Sequence, residues 1–233
     1  MAADPLSVDA MMLTETLAPS EIARFRVEGF VHQPAVFDAT DVLTLNAELA
    51  RLVDAGGAVA WTGPWDLAET GHGFAPVRYL HLRSQPWRSA CVDRLGPVAK
   101  ALLGESASVA EAMGIIKPPQ IGQSFPWHQD GAYYGPLDGR YVIANVYLDD
   151  MTPTNGSLRV LPCTHDRFRA HADRDGKKVV ELGDLDPIWP IVEPHAKAGD
   201  VVWFHLWTIH GSAPNHSDRV RRAVRVGFLG GTP

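Results

Sequence analysis

A mainly β domain with flanking helices is what this sequence predicts, and three observations predict it. Helical periodicity is confined to the first half of the chain. From Ser108 onward short apolar runs alternate with turn residues, and no helical period interrupts them. Many short strands punctuated by Gly, Pro and Asn build a sandwich or a rolled barrel. The 233 residues suit one domain, helical over about 1–105 and a β core over about 106–233.

The elements follow in order. Ser20 caps a short helix that runs through Glu28 and stops at Gly29. Phe30, Val31 and Val36 then read as extended. Asp38 or Thr40 caps a second helix, whose Val42, Leu45, Leu49, Leu52 and Val53 fall at three- and four-residue steps before Gly56-Gly57 ends it. A third helix runs from about Trp87 to Leu103, broken near Gly96-Pro97 and stopped by Gly104. Ala60 to Arg78, rich in Trp, Gly, Pro and His, has no period and reads as a long loop, either functional or a tolerated surface excursion. The predicted strands are Val109–Lys117, Arg140–Leu148, Ser157–Leu161, Ile188–Val192, Asp200–His205 and Ala223–Phe228, separated by turn signals such as Pro118-Pro119 and Thr152 to Gly156.

Composition narrows the function. Apolar residues make up 45% and charged residues 21%, an ordinary globular balance. The net charge of -6 offers no basic field to a nucleic acid, although Arg219, Arg221, Arg222 and Arg225 cluster locally. Cys91 and Cys163 form neither a disulfide framework nor a zinc-type pair, which points to a reducing, cytoplasmic setting. The N-terminus lacks the basic start and apolar run of a signal peptide, and no stretch approaches the ~20 apolar residues of a membrane span. Oligomeric state leaves no mark.

The chemistry begins at Trp127-His128-Gln129-Asp130. In an extended segment His128 and Asp130 share a face and offer an imidazole nitrogen and a carboxylate oxygen to one metal. His210, after the apolar run Val201 to Phe204 and before Gly211-Ser212, is the leading third ligand; His205 competes. Two imidazoles and one carboxylate on one face leave the opposite positions open, as in non-haem iron(II) oxygenases. The other histidines (32, 72, 81, 165, 171, 195 and 216) read as structural or surface residues. Eleven residues beyond His210, Arg221 would return beside the metal on a second strand, where its planar guanidinium can grip a carboxylate at two points.

Five segments in order, Lys117-Pro118-Pro119, Trp127 to Tyr134, Leu148-Asp149-Asp150, Asn155 to Pro162 and His210 to Arg222, resemble the phytanoyl-CoA dioxygenase family. The likeness extends to the N-terminal Gly29-Phe30-Val31, so it covers nearly the whole chain. It implies a double-stranded β-helix (a jelly-roll, cupin-like barrel), iron(II) held by His128, Asp130 and His210, and 2-oxoglutarate as co-substrate. By the same resemblance Arg221 binds the co-substrate carboxylate and Ser212 assists. Asn145 is where relatives place a residue touching the keto acid, and Lys117 and Tyr134 are pocket positions. Arg219 and Arg222 read as solvated or structural. One departure is Cys163, where relatives have a glycine; this implies a turn that needs no positive φ, with Cys163 as a small buried hydrophobe.

The implied reaction oxidises, above all hydroxylates, a C–H bond of a small metabolite with O2, releasing succinate and CO2. Asp130 argues against the halogenases that lack this carboxylate. Trp61, Trp65, Phe74, Trp127, Tyr133 and Trp207 could line an aromatic pocket, whereas Trp203 reads as core. Natural-product tailoring of a small cyclic or aromatic compound is the working substrate class. The competing readings are a cupin-type metal dioxygenase without 2-oxoglutarate and a non-catalytic ligand-binding barrel.

Overall fold

The structure, a computed structural model, describes residues 16–55, 77–104, 106–120, 124–134, 139–182 and 189–231. Two antiparallel sheets carry the site. In the larger, β1 (Phe30–Gln33), β9 (Val201–His205), β5 (Tyr141–Tyr147), β11 (Arg221–Gly230), β3 (Ala107–Lys117) and β2 (Val77–Arg78) lie side by side in that order. In the smaller, β10 (His210–Ser212) lies between β4 (Phe125–His128) and β6 (Leu158–Val160). A separate hairpin pairs β7 (His171–Arg174) with β8 (Lys177–Val180). Strands of the larger sheet form no ladder with those of the smaller among the described residues, so the double-stranded β-helix is two facing sheets and not a closed barrel.

Alternation along β5 explains the layers. Val142, Ala144 and Val146 face the helices, in a core shared with Leu45, Leu49, Trp87 and Trp203. Tyr141, Ile143 and Tyr147 face the small sheet, in a second core with Leu158, Val160, Val202 and Phe204. A strand buried on both faces loses the apolar–polar alternation of a half-exposed one, and all seven residues of β5 are buried. A third cluster of Leu161, Val180 and Ile209 has Trp127 and Trp189 packed against it.

The helices depart from the sequence reading in detail. The first, α1 (Pro19–Glu28), is capped from Ala18 and not from Ser20: Pro19 occupies the first turn and the Glu21 carboxylate accepts the Ala18 N–H at 2.7 Å. Gly29 ends it at φ 80, where a Cβ would strike His165 and Thr208. Asp38, not Thr40, caps α2 (Ala39–Asp54), accepting the Asp41 N–H at 2.8 Å. Gly56-Gly57 lies outside the described residues.

A short helix not predicted, α3 (Leu80–Arg83), precedes the third predicted helix, which is instead a series: α4 (Gln85–Ser89), a π-helical stretch Ala90–Leu95 and α5 (Gly96–Leu103). Pro97 falls in the first turn of α5, where its missing N–H is no loss, so the break predicted there is a wide turn and not an interruption. The long loop lies outside the described residues up to residue 76; its last two residues form β2 against Met113 and Gly114. The predicted strand Ile188–Val192 is reduced, over its described residues, to a single bridge from Val192 to Val160.

Cys163 overturns two expectations. It adopts φ 59 and is exposed, so the turn does require the left-handed region and the thiol is no core residue. The turn is dictated by its bonds: Thr164 Oγ1 donates to Leu161 O at 2.7 Å and accepts from Ile209 N at 2.9 Å. A non-glycine residue tolerates that conformation at a cost of roughly 1–2 kcal/mol. Cys91 is a free thiol in the helical layer, pushed up to about 12 by burial. No helix of the described residues is long and apolar enough to cross a membrane.

Candidate metal centre

Strand pairing brings the distant histidines together. β10 runs antiparallel to β4 with His210 directly opposite His128, and their rings lie 4.2 Å apart. Asp130 follows the end of β4 and leads into α6 (Gly131–Tyr134), its carbonyl accepting the Tyr133 N–H at 2.9 Å. One ligand atom from each of His128, Asp130 and His210 lies within 4.8 Å of the others. Oδ1 of Asp130 sits 3.4 Å from His128 Nε2 and 3.8 Å from His210 Nε2.

Backbone carbonyls set the tautomers. His128 Nδ1 meets Pro126 O at 2.8 Å, and His210 Nδ1 meets Thr208 O at 2.9 Å. A carbonyl can only accept, so each Nδ1 carries a proton and Nε2 is the ring nitrogen turned to the metal position. Burial, with the neighbouring His128, pushes His210 down to about 3, which keeps its imidazole neutral. Burial would raise Asp130, but the guanidinium of Arg225 and the two imidazoles outweigh it and hold the carboxyl well below its usual range. Two imidazoles and a carboxylate are the donor set expected to accept iron(II) with open positions.

Gln129 is the hidden anchor of this corner. Its fully buried amide donates to Arg167 O at 2.9 Å and Trp207 O at 2.6 Å and accepts the Arg169 N–H at 2.7 Å. Its backbone N–H donates to His171 Nε2 at 3.0 Å. It thereby ties the end of β4 to two loops while its neighbours turn toward the metal position.

Beside the triad is a cationic cradle. Arg221 opens β11 opposite Lys117 of β3. Its Nη2 donates to Gly156 O at 2.9 Å, but its buried Nε has no partner. Burial pushes Arg221 down to about 10 and Lys117 down to about 6. Lys117 Nζ donates to Ser212 Oγ at 2.8 Å and to Ala213 O. Gly156, at φ 83, permits this approach, since a Cβ there would meet Ala213 O at 2.7 Å and Lys117 Cδ at 2.9 Å. Asn145 Oδ1 and Tyr147 Oη are also buried. A buried guanidinium with an open donor beside a lysine fits the remote carboxylate of 2-oxoglutarate.

Other sequence-picked residues lie elsewhere. Tyr134 points away from the cradle, donating to Glu111 Oε2 at 2.8 Å. His205 stays off the triad: its Nδ1 accepts the Trp207 N–H at 3.1 Å, and burial pushes it down to about 4. Arg222 pairs with Asp149 at 2.8 Å and Arg219 is exposed. Trp203 is core, with Nε1 on Gln33 Oε1 at 2.9 Å. Trp127 packs with the third cluster under Arg159, whereas Tyr133 lies edge-on to His128, their ring centroids 5.7 Å apart. Trp61, Trp65 and Phe74 lie outside the described residues. Sequence reasoning missed Tyr147, Glu111 and the role of Arg225; the alternation of β5, β3 and β11 was the available signal.

Comparisons with known proteins agree with this geometry. The family model for phytanoyl-CoA dioxygenase (PhyH) matches residues 25–223. The ectoine dioxygenase of Stutzerimonas stutzeri is 26% identical over 94% of this chain and 78% of its own. Among solved structures, the 2-oxoglutarate-dependent carbocyclase SnoK of nogalamycin biosynthesis superposes with a TM-score of 0.77 at 25% identity, over 93% of this chain and 85% of that one. EctD from S. alaskensis with bound Fe superposes with a TM-score of 0.73 at 25% identity, over 92% and 77%.

Proposed function

The chain belongs to the phytanoyl-CoA dioxygenase family, and it is a non-haem dioxygenase of the iron and 2-oxoglutarate type; from that premise we propose that it hydroxylates a C–H bond of a small metabolite in natural-product chemistry. His128, Asp130 and His210 would hold iron(II). Arg221, with Ser212 and Lys117, would bind the remote carboxylate of 2-oxoglutarate, and Asn145 would face its keto-acid end. Tyr134 would act through Glu111 and Arg225, to which its hydroxyl is hydrogen-bonded. Iron with 2-oxoglutarate supplies the oxidising equivalent from O2, with succinate and CO2 as by-products.

The residues themselves orient and exclude. The two Nδ1–H···O=C bonds keep both imidazoles aimed before any metal arrives. The β7–β8 hairpin shields the corner, with Lys178 N–H on Tyr133 Oη at 2.8 Å and Tyr133 edge-on to His128. The single observation that carries the proposal is a buried His–Asp–His triad beside a buried guanidinium with an open donor. The relatives' names span ectoine, methylphosphonate and nogalamycin biosynthesis, which supports a small polar or cyclic substrate. Two free thiols suit the cytoplasm.

The test is an anaerobic titration with iron(II), then 2-oxoglutarate. A weak visible charge-transfer band needing both, and absent from His128→Ala, is expected. Iron-dependent turnover that never consumes 2-oxoglutarate would favour a dioxygenase that activates its substrate directly.

A further inference from the structure

Arg225 is fully buried at the centre of a polar network that the proposed chemistry does not use. On β11 it lies opposite Met113 of β3 and Asn145 of β5, on the face turned toward the small sheet. Its Nε donates to Asp130 Oδ2 at 3.1 Å. Its Nη2 lies 3.0 Å from the same oxygen, off the hydrogen-bonding direction. Its Nη1 donates to Glu111 Oε2 at 3.1 Å and to Tyr134 Oη. Glu111 Oε1 in turn lies 3.1 Å from Arg78 Nη1 on β2.

We propose that Arg225 is a positioning residue for the metal centre, pinning Oδ2 of Asp130 so that Oδ1 alone faces the two imidazoles. This rests on the metal-site reading above. Asp130 and Tyr134 bracket the short helix α6, and one guanidinium holds both ends of that turn. A carboxylate with two free oxygens can swing or chelate through both, and either would consume a position needed by the co-substrate. With Oδ2 committed to Arg225, only Oδ1 is left, 3.4 and 3.8 Å from the imidazole nitrogens.

The charges support positioning over simple neutralisation. A lone arginine on Asp130 would close an ion pair that competes with an incoming cation. Here the guanidinium is shared between Asp130 and Glu111, and the row Asp130–Arg225–Glu111–Arg78 alternates in sign, so Arg225 is not committed to Asp130 alone. Tyr134, its ring 5.1 Å from the Arg225 guanidinium carbon, covers the network.

The experiment titrates the apo-protein with cobalt(II) and reads affinity by calorimetry and geometry by the d–d absorption. Arg225→Met combined with Glu111→Gln removes one charge of each sign, and Arg225→Lys keeps the charge but cannot span Asp130 and Tyr134. Both are expected to bind cobalt(II) about 10- to 100-fold more weakly with an altered d–d band. Tyr134→Phe, which keeps the ring, should shift the band the same way by less, and it decides the matter if neither Arg225 variant folds. Wild-type affinity and an unchanged band in the folded variants would overturn the proposal. Should the wild-type protein itself take up no cobalt(II), or bind it equally as His128→Ala, the metal-site reading fails first.

Discussion

The triad and the cradle sit side by side, yet they are finished to different degrees. In the triad each polar atom that does not face the metal position is spoken for. Both Nδ1 atoms reach backbone carbonyls, and Asp130 Oδ2 is held by Arg225. In the cradle the Nε donor of Arg221 is buried and unpartnered. Leaving a buried polar group unsatisfied costs about 1–3 kcal/mol, which an anion accepting from Arg221 Nε would recover. On the proposed reading, metal geometry is set in advance by the chain, whereas the cradle would be completed by the anion it receives.

Breaking the triad should produce the largest effect. His210→Ala removes a ligand, and turnover is expected to fall at least about 1000-fold with loss of tight cobalt(II) binding by calorimetry. Retained metal affinity would mean that the carbonyl-oriented imidazoles are not its ligands. Arg221→Ala should act only on the other half. The KM for 2-oxoglutarate is expected to rise about 10- to 100-fold, the range of a lost charged hydrogen bond, while cobalt(II) affinity stays within about 2-fold. Equal losses in both would erase the distinction.

The smallest effect sharpens the comparison through pH. Lys117 is pushed down to about 6 in the folded protein, against about 10.4 in an unfolded chain. Between those values the unfolded chain binds the extra proton, so this group makes the apo-protein more stable as pH rises from about 6 toward 10. The slope is at most about 1.4 kcal/mol per pH unit. Thermal melting of the apo-protein from pH 6.5 to 9 should show that rise, flattened in Lys117→Met. Identical slopes would mean that Lys117 is already charged in the empty cradle.

Much of this site could be read from the chain because its signals are local. His128 and Asp130 are two apart, Arg221 lies eleven past His210, and those spacings need only an extended segment and a turn. The layered β half was likewise visible in apolar runs between turn residues. Arg225 was not, since its partners Glu111 and Asp130 lie 114 and 95 positions away. Cys163 misled because its left-handed turn is imposed by Thr164 and Ile209, and a missing glycine carries no trace of that. The strand expected at Ile188–Val192 mistook an apolar run that meets Val160 at one residue for a ladder.

By itself, then, the sequence determined which side chains could bind a metal and a carboxylate, and on which half of the chain they lie, since residue chemistry and periodicity are properties of short windows. Only the tertiary structure decided that His210 stands opposite His128, that Arg225 bonds Oδ2 of Asp130, and that the Tyr134 hydroxyl meets Glu111 and Arg225. Those outcomes depend on strand register, where a shift of one residue turns every side chain to the other face.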